Sequence, residues 1–189
     1  MITRKHDDGL ERCRWAWPDQ IYIDYHDSEW GVPLRGQNEL FERIALEGFQ
    51  AGLSWITILK RREGFRKAFK NFEVQKVAKF KESDVERLMQ DTGIIRNQQK
   101  IRAAIHNANL ILDKDLDLTE LLWSFAPKQP LTPAKNFEWL ATSNESDAMS
   151  KELRKLGFKF VGSTTMYALM QSVGMVQDHA PGCFRRPRK

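Results

Sequence analysis

The sequence predicts an all-α protein with short connections. Three observations carry this. Apolar residues recur at helical spacing in several windows of the 189-residue chain. Strand signals are confined to Ile21-Tyr22-Ile23 and Phe158-Lys159-Phe160-Val161, each too short to build a sheet. Hydrophobic residues make up 41% and aromatics 11%, which is enough to form a core and excludes global disorder.

The elements follow in order. Residues 1–10 read as a leader, and whether they are ordered stays open. Residues 39–52 run long without proline and form a helix. Residues 83–90 open with Ser83 and Glu86 at capping-box spacing and stop at Thr92-Gly93. Residues 97–112 place Ile101, Ile105, Ala108 and Leu112 on one stripe. Residues 146–156 carry Ala148, Met149, Leu153 and Leu156 ahead of Gly157, and residues 164–175 stop near Gly174. The clearest long loop is 126–137, with three prolines. The longest strictly apolar run, Met166 to Met170, is five residues, so no membrane span is expected. No signal-peptide pattern opens the chain, and a cytoplasmic location is expected.

Charge is unevenly distributed. Net charge is −4 over residues 1–50, +7 over 51–110, −4 over 111–150 and +6 over 151–189. If the two basic blocks meet, they make a face for a polyanion. Each single Lys or Arg reads equally as a solvated surface group.

Four constellations could carry chemistry. Cys13, His26, His179 and Cys183 suit a tetrahedral zinc site that would tie distant ends of the chain together. Their spacing alone also allows two buried free thiols. Glu47 shares a helix side with Leu40, Ile44 and Ala51, where a carboxylate is costly unless paired or used. An ion pair with Arg43 one turn earlier is the plainer alternative. Trp15, Trp17, Tyr22, Tyr25, Trp30 and Trp55 could stack on a planar ligand or simply fill a core. Residues 88–101 read as helix, glycine turn, helix, with Gly93 in the turn and Arg96 and Lys100 after it. Such a hairpin can offer a helix N-terminus to a phosphate, or be an ordinary turn.

Together these features resemble the DNA-3-methyladenine glycosylase I family. The stretches that carry the resemblance are ERCRW (11–15), YIDYHDSEWGVP (22–33), LFERIALEGFQAGLSWITILKRRE (40–63), DVERLMQDTGIIRNQQKI (84–101) and LRKLGFKFVGSTTMYALMQSVGMVQDH (153–179). The resemblance implies a helix-hairpin-helix DNA glycosylase fold over residues 11–189, with two lobes flanking a base pocket. It implies one structural zinc joining the terminal segments through Cys13, His26, His179 and Cys183. It assigns Glu47 to hydrogen bonding with the damaged adenine, Trp55 to stacking on it, and Tyr25, Trp15 and Trp30 to the pocket. Leu53 resembles the wedge entering the duplex. Gly93, Arg96 and Lys100 fall at the DNA-facing hairpin, and Lys60, Arg61, Arg62 and Lys159 are further candidates for phosphates.

The implied activity is hydrolytic removal of 3-methyladenine from alkylated duplex DNA by a monomer, which releases the free base and leaves an abasic site. No lysine is placed as a Schiff-base nucleophile, so no lyase step is expected. Two departures stand out. Phe49 occupies a position where a polar residue is common. Trp123 and Ser124 occupy the neighbourhood where the wider superfamily carries an aspartate. Competing readings are a non-catalytic zinc-clasped DNA-binding protein, a glycosylase of specificity shifted by Phe49, and a small-molecule purine binder.

Overall fold

The proline-free window forms α2, Gln37–Gln50, and nine of its fourteen residues are buried. The computed structural model describes residues 1–130 and 132–187. Residue 131, in the expected loop 126–137, and residues 188 and 189, in the last basic block, lie outside the described residues. Ahead of α2 come β1 (Thr3–Lys5), β2 (Glu11–Cys13) and α1 (Gln20–Ser28). After it come α3 (Trp55–Leu59), α4 (Arg62–Ala68), α5 (Val74–Val77), α6 (Glu82–Gln90) and α7 (Gln98–Asp113). The chain continues through α8 (Leu118–Trp123), α9 (Asn144–Leu156) and α10 (Ser163–Ser172).

Helix α2 is the central element because most of its circumference is buried. It packs against α3, α5, α7, α8 and α10, and α9 in turn packs on α10. The main core contains a run of phenylalanines. The Phe49 ring lies 4.7 Å from Phe65 and 5.8 Å from Phe69, and Phe69 stacks on Phe72 at 5.3 Å. A second, smaller core gathers Cys13, Tyr25, Trp30, Leu59, Phe137, Ala180 and Cys183.

Helix ends are fixed locally. Asn97 accepts from the Lys100 amide at 3.1 Å and Asp117 from the Glu120 amide at 2.9 Å. Ser143 and Ser146 satisfy each other's amides at the start of α9, which ends on Gly157 in the left-handed region. Helix α6 starts at Glu82, with the Asp84 carboxylate accepting from Lys81 N–H at 3.0 Å, so the Ser83 cap expected from sequence is displaced.

As expected, neither short alternating segment builds a sheet, and the order of the leader, left open by the sequence, is settled in part. Ile21–Ile23 lie inside α1, where the run to His26 supplies helical contacts that a three-residue alternation cannot reveal. Residues 158–161 form no strand. Part of the leader is ordered: Thr3, Arg4 and Lys5 pair antiparallel with Cys13, Arg12 and Glu11. No helix among the described residues is long and apolar enough to cross a membrane.

The hairpin between α6 and α7 is set by backbone proximity. A Cβ placed on Gly64 of α4 would sit 2.4 Å from the Gly93 carbonyl oxygen, which has no side chain to swing away. The Gly93 amide donates to Asp91 Oδ1 at 2.8 Å. That amide is therefore engaged, and Gly93 organises the turn rather than offering its N–H to a phosphate. Gly64→Ala should be destabilising by about 1–3 kcal/mol through overpacking. This outweighs the helix-propensity gain of about 1 kcal/mol that alanine brings. A denaturant titration checks the sign, and a stabilised variant would contradict the close approach.

Candidate active site

One cavity of about 220 Å³ opens between α1, α2, α3 and α10. Trp15, Tyr25, Trp30, Glu47 and Trp55, all singled out by sequence, line it together. Tyr22, Gln50, Trp139, Leu140, Ala168, Gln171 and Ser172 complete the wall. The aromatic rings brace one another. Trp15 lies 5.0 Å from both Tyr22 and Trp30, and Tyr25 lies 5.5 Å from Trp55. Such edge and tilted contacts hold planar walls at fixed angles. Trp17, by contrast, is exposed and packs against His6 and under Arg4.

Glu47 sits at the closed end, 3% exposed. Arg43 does not pair with it. The Arg43 guanidinium bonds Glu29 at 2.8 Å, and Glu29 is also held by Arg62 at 2.6 and 2.7 Å. Burial therefore dominates and pushes the Glu47 carboxyl up to about 8, with Arg43 and the Ser172 hydroxyl only partly opposing it. An acid that keeps its proton near neutrality, in an aromatic cavity, is a candidate functional group.

The walls depend on the chain ends. Cys13, His26, His179 and Cys183 are buried, and their ligand atoms all lie within 4.8 Å of one another. Cys183 Sγ lies 3.4 Å from His26 Nε2 and 3.6 Å from His179 Nδ1, and Cys13 Sγ lies 3.9 Å from His179 Nδ1. Ligand separations in a tetrahedral Cys2His2 zinc site are roughly 3.5 Å, so the set fits a metal of that kind. The opposite ring nitrogens are also engaged, His26 Nδ1 with Asp27 at 2.7 Å and His179 Nε2 with the Trp30 carbonyl at 3.2 Å. This second layer fixes which nitrogen faces the centre. Asp27 is held by Arg12, which reaches Asp8 in the leader at 2.7 and 2.9 Å. Hydrogen bonds from Cys13 and the two imidazoles hold the Cys183 thiol well below its ordinary range.

Other expectations fare differently. Leu53 is exposed at the tip between α2 and α3, after Gly52 at φ +81°. Arg96 is exposed beside the hairpin. Lys100 is not available to a phosphate. It is buried, and its ammonium donates to the carbonyls of Phe49 at 2.8 Å and Ala51 at 2.5 Å, neutralising the C-terminal end of α2. Arg62 is committed to Glu29, and Lys60 pairs with Asp19. Arg61 and Lys159 are exposed. Phe49 points into the main core and does not line the cavity. Trp123 donates to the distant Leu34 carbonyl and Ser124 to that of Leu121, so both hold the fold together.

Sequence reasoning passed over Trp139 and Asp178. Trp139 arrives from the proline-rich loop, and its indole donates to the Asp178 carbonyl at 3.0 Å. The buried Asp178 carboxylate accepts from Tyr167 at 2.7 Å, from Gln171 at 2.8 Å and from Thr132. It thereby ties the loop to α10 and to the cavity wall. Its position next to His179 was the available signal.

Comparison with known proteins places this arrangement. A family model described as methyladenine glycosylase matches residues 15–186. The chain is 51% identical over 179 residues to DNA-3-methyladenine glycosylase 1 of Escherichia coli, covering 92% of this chain and 96% of that protein. It superposes on a crystal structure of 3-methyladenine DNA glycosylase I with a TM-score of 0.87, at 48% identity, covering 93% of this chain and all of that one. It superposes on the Staphylococcus aureus enzyme, solved to explain 3-methyladenine recognition, with a TM-score of 0.86 and 32% identity, covering 94% of this chain and 97% of that one.

The buried acid has a consequence for stability. Because the Glu47 carboxyl titrates near 8 when folded and near 4.5 when unfolded, stability falls as pH rises through that window. Glu47→Gln removes this cost. Its melting temperature should exceed that of the wild type at pH 8.5 and converge with it near pH 4.5, the ceiling being a few kcal/mol at about 1.4 kcal/mol per pH unit. A difference that does not vary with pH would contradict the assignment.

Proposed function

Because this chain belongs to the methyladenine glycosylase family and is a DNA glycosylase, we propose that it extracts 3-methyladenine from alkylated duplex DNA and hydrolyses its N-glycosidic bond. One observation carries the reading: a cavity the size of a single base, walled by aromatics, closes on a carboxyl group that its neighbouring arginine leaves unpaired.

Methylation at N3 makes adenine a cation in DNA. In the free cavity Glu47 keeps its proton below about pH 8. A cationic base restores the missing counter-charge, so the proton leaves and the carboxylate accepts from the base. Neutral adenine offers no such compensation and meets a protonated acid. Trp55, Tyr25, Trp15 and Trp30 add cation–π attraction, each about 0.5–2 kcal/mol. The base is drawn from the stack at a cost of a few kcal/mol, which Leu53 offsets by entering the gap.

Bond cleavage then needs little acid assistance. The electron pair of the C1′–N9 bond neutralises the methylated ring, which leaves as free 3-methyladenine. Water adds to C1′ and gives its proton to solvent, which leaves an abasic site and no covalent intermediate. Arg96 and the N-terminal end of α7 serve backbone phosphates, with Gly93 shaping the hairpin, and this affinity is salt-sensitive. The enzyme acts as a monomer in the cytoplasm. One structural zinc is held by Cys13, His26, His179 and Cys183, and it supplies loop closure rather than chemistry because four protein ligands leave no open position.

Two measurements check this. Methylated duplex should yield free 3-methyladenine and little 7-methylguanine when the products are separated. Glu47→Ala and Trp55→Ala should each lose about tenfold or more in kcat/KM, and full activity in Glu47→Ala would refute the charge role. Elemental analysis should find one zinc per chain, and chelation should lower the melting temperature. A turnover rate that followed the identity of a substituted metal would contradict a purely structural ion.

A further inference from the structure

Phe160 combines three properties that core packing does not explain. Its ring is 38% exposed. Its φ is +58°, a region that a bulky L residue avoids. And its neighbours hold it there. Buried Asn107 on α7 donates to the Lys159 carbonyl at 3.1 Å and accepts the Lys159 amide at 2.9 Å, while Ser150 donates to the Val161 carbonyl at 2.7 Å. The residue is pinned from both sides in a conformation it would otherwise leave. Strain kept by a supporting framework at an exposed side chain is a mark of use.

The placement says what the use is. Phe160 Cβ faces Gly48 so closely that a Cβ there would lie 3.3 Å away. Its ring centroid is 6.0 Å from Lys100 Nζ, which grips the carbonyls of Phe49 and Ala51. Two residues beyond Ala51 is the exposed tip of Leu53. Phe160 therefore lies between the C-terminal part of α2 and the first half of α7, and it does not line the base cavity. Around the ring lies a surface depression of about 490 Å³, rimmed by Gln99, Arg102, His106 and Lys159. Arg102 is paired with Glu82 and His106 bonds the Gly157 carbonyl at 3.0 Å, so exposed Lys159 and Gln99 are the polar groups that face outward beside the ring. An apolar ring next to a cation and a donor suits a nucleic acid, whose bases stack and whose phosphates accept.

We infer that Phe160 is a second duplex-gripping residue, an aromatic wedge that works with Leu53 against the strand flanking the extruded nucleotide. The inference rests on the glycosylase reading above. Its occupant is the substrate duplex itself.

The test uses Phe160→Asn, since asparagine tolerates the left-handed backbone, together with Phe160→Trp. Phe160→Asn should melt at or above the wild-type temperature and quench its tryptophan fluorescence with free 3-methyladenine as the wild type does. Its affinity for duplex and its kcat/KM on methylated duplex should fall about tenfold, the scale of one lost base–aromatic stack. Phe160→Trp should restore most of both. Wild-type duplex affinity in Phe160→Asn would overturn the inference. So would a parallel loss of free-base binding or melting temperature, which marks a merely structural role. If the wild type released no base at all, the glycosylase reading would fail, while duplex affinity would still decide the role of Phe160.

Discussion

A carboxyl group taken out of water costs several kcal/mol unless a partner or a lost charge compensates it, and the burial of Glu47 is the constraint around which this molecule is arranged. The nearest cation, Arg43, is one turn away on the same helix and could have supplied that compensation. Glu29 and Arg62 draw it off into a separate ion cluster. The acid is left facing a cavity of rings. That arrangement lowers stability near neutral pH, and in the proposed reading a positive, flat ligand supplies the missing compensation. On that reading, stability and selectivity are opposed at this one residue.

Building the cavity requires walls from distant parts of the chain. Trp15, Tyr25 and Trp30 lie beside Cys13, His26 and the Trp30 carbonyl that His179 contacts, so the clasp and the aromatic wall are one construction. The leader extends it through Asp8, Arg12 and Asp27 to His26. On the far side, Asp178 joins Trp139, Tyr167 and Gln171 to the residue next to a clasp histidine. A disturbance of either end of the chain therefore reaches the base cavity without touching it directly.

Much of this was legible in the sequence. Helices α2, α7, α9 and α10 are long enough for a 3.6-residue period to show. The short α3, α4 and α5 span fewer than two turns or lack a stripe, and their positions follow from packing. Glu47 was visible as a polar residue on an apolar side, yet the diversion of Arg43 to Glu29 was not, because that contact joins α2 to the residue just past α1. Lys100 shows the opposite failure. A lysine in the first turn of a hairpin helix suggests a phosphate ligand, but the fold points it at the carbonyls ending α2. Phe49 likewise reads in sequence as a pocket residue, although two residues from Glu47 is about 200° around a helix. Residue type was informative wherever chemistry is local, and it misled where a long side chain could reach either of two surfaces.

Selection through charge compensation requires Glu47 to hold a proton before the base arrives. The most direct measurement is a pH titration of its side-chain carboxyl carbon by NMR in the free protein, assigned by comparison with Glu47→Gln. A midpoint near 8 is the expected result. A midpoint close to 4.5, the ordinary value for a glutamate, would show the carboxylate already charged before the base arrives and would contradict selection through charge compensation.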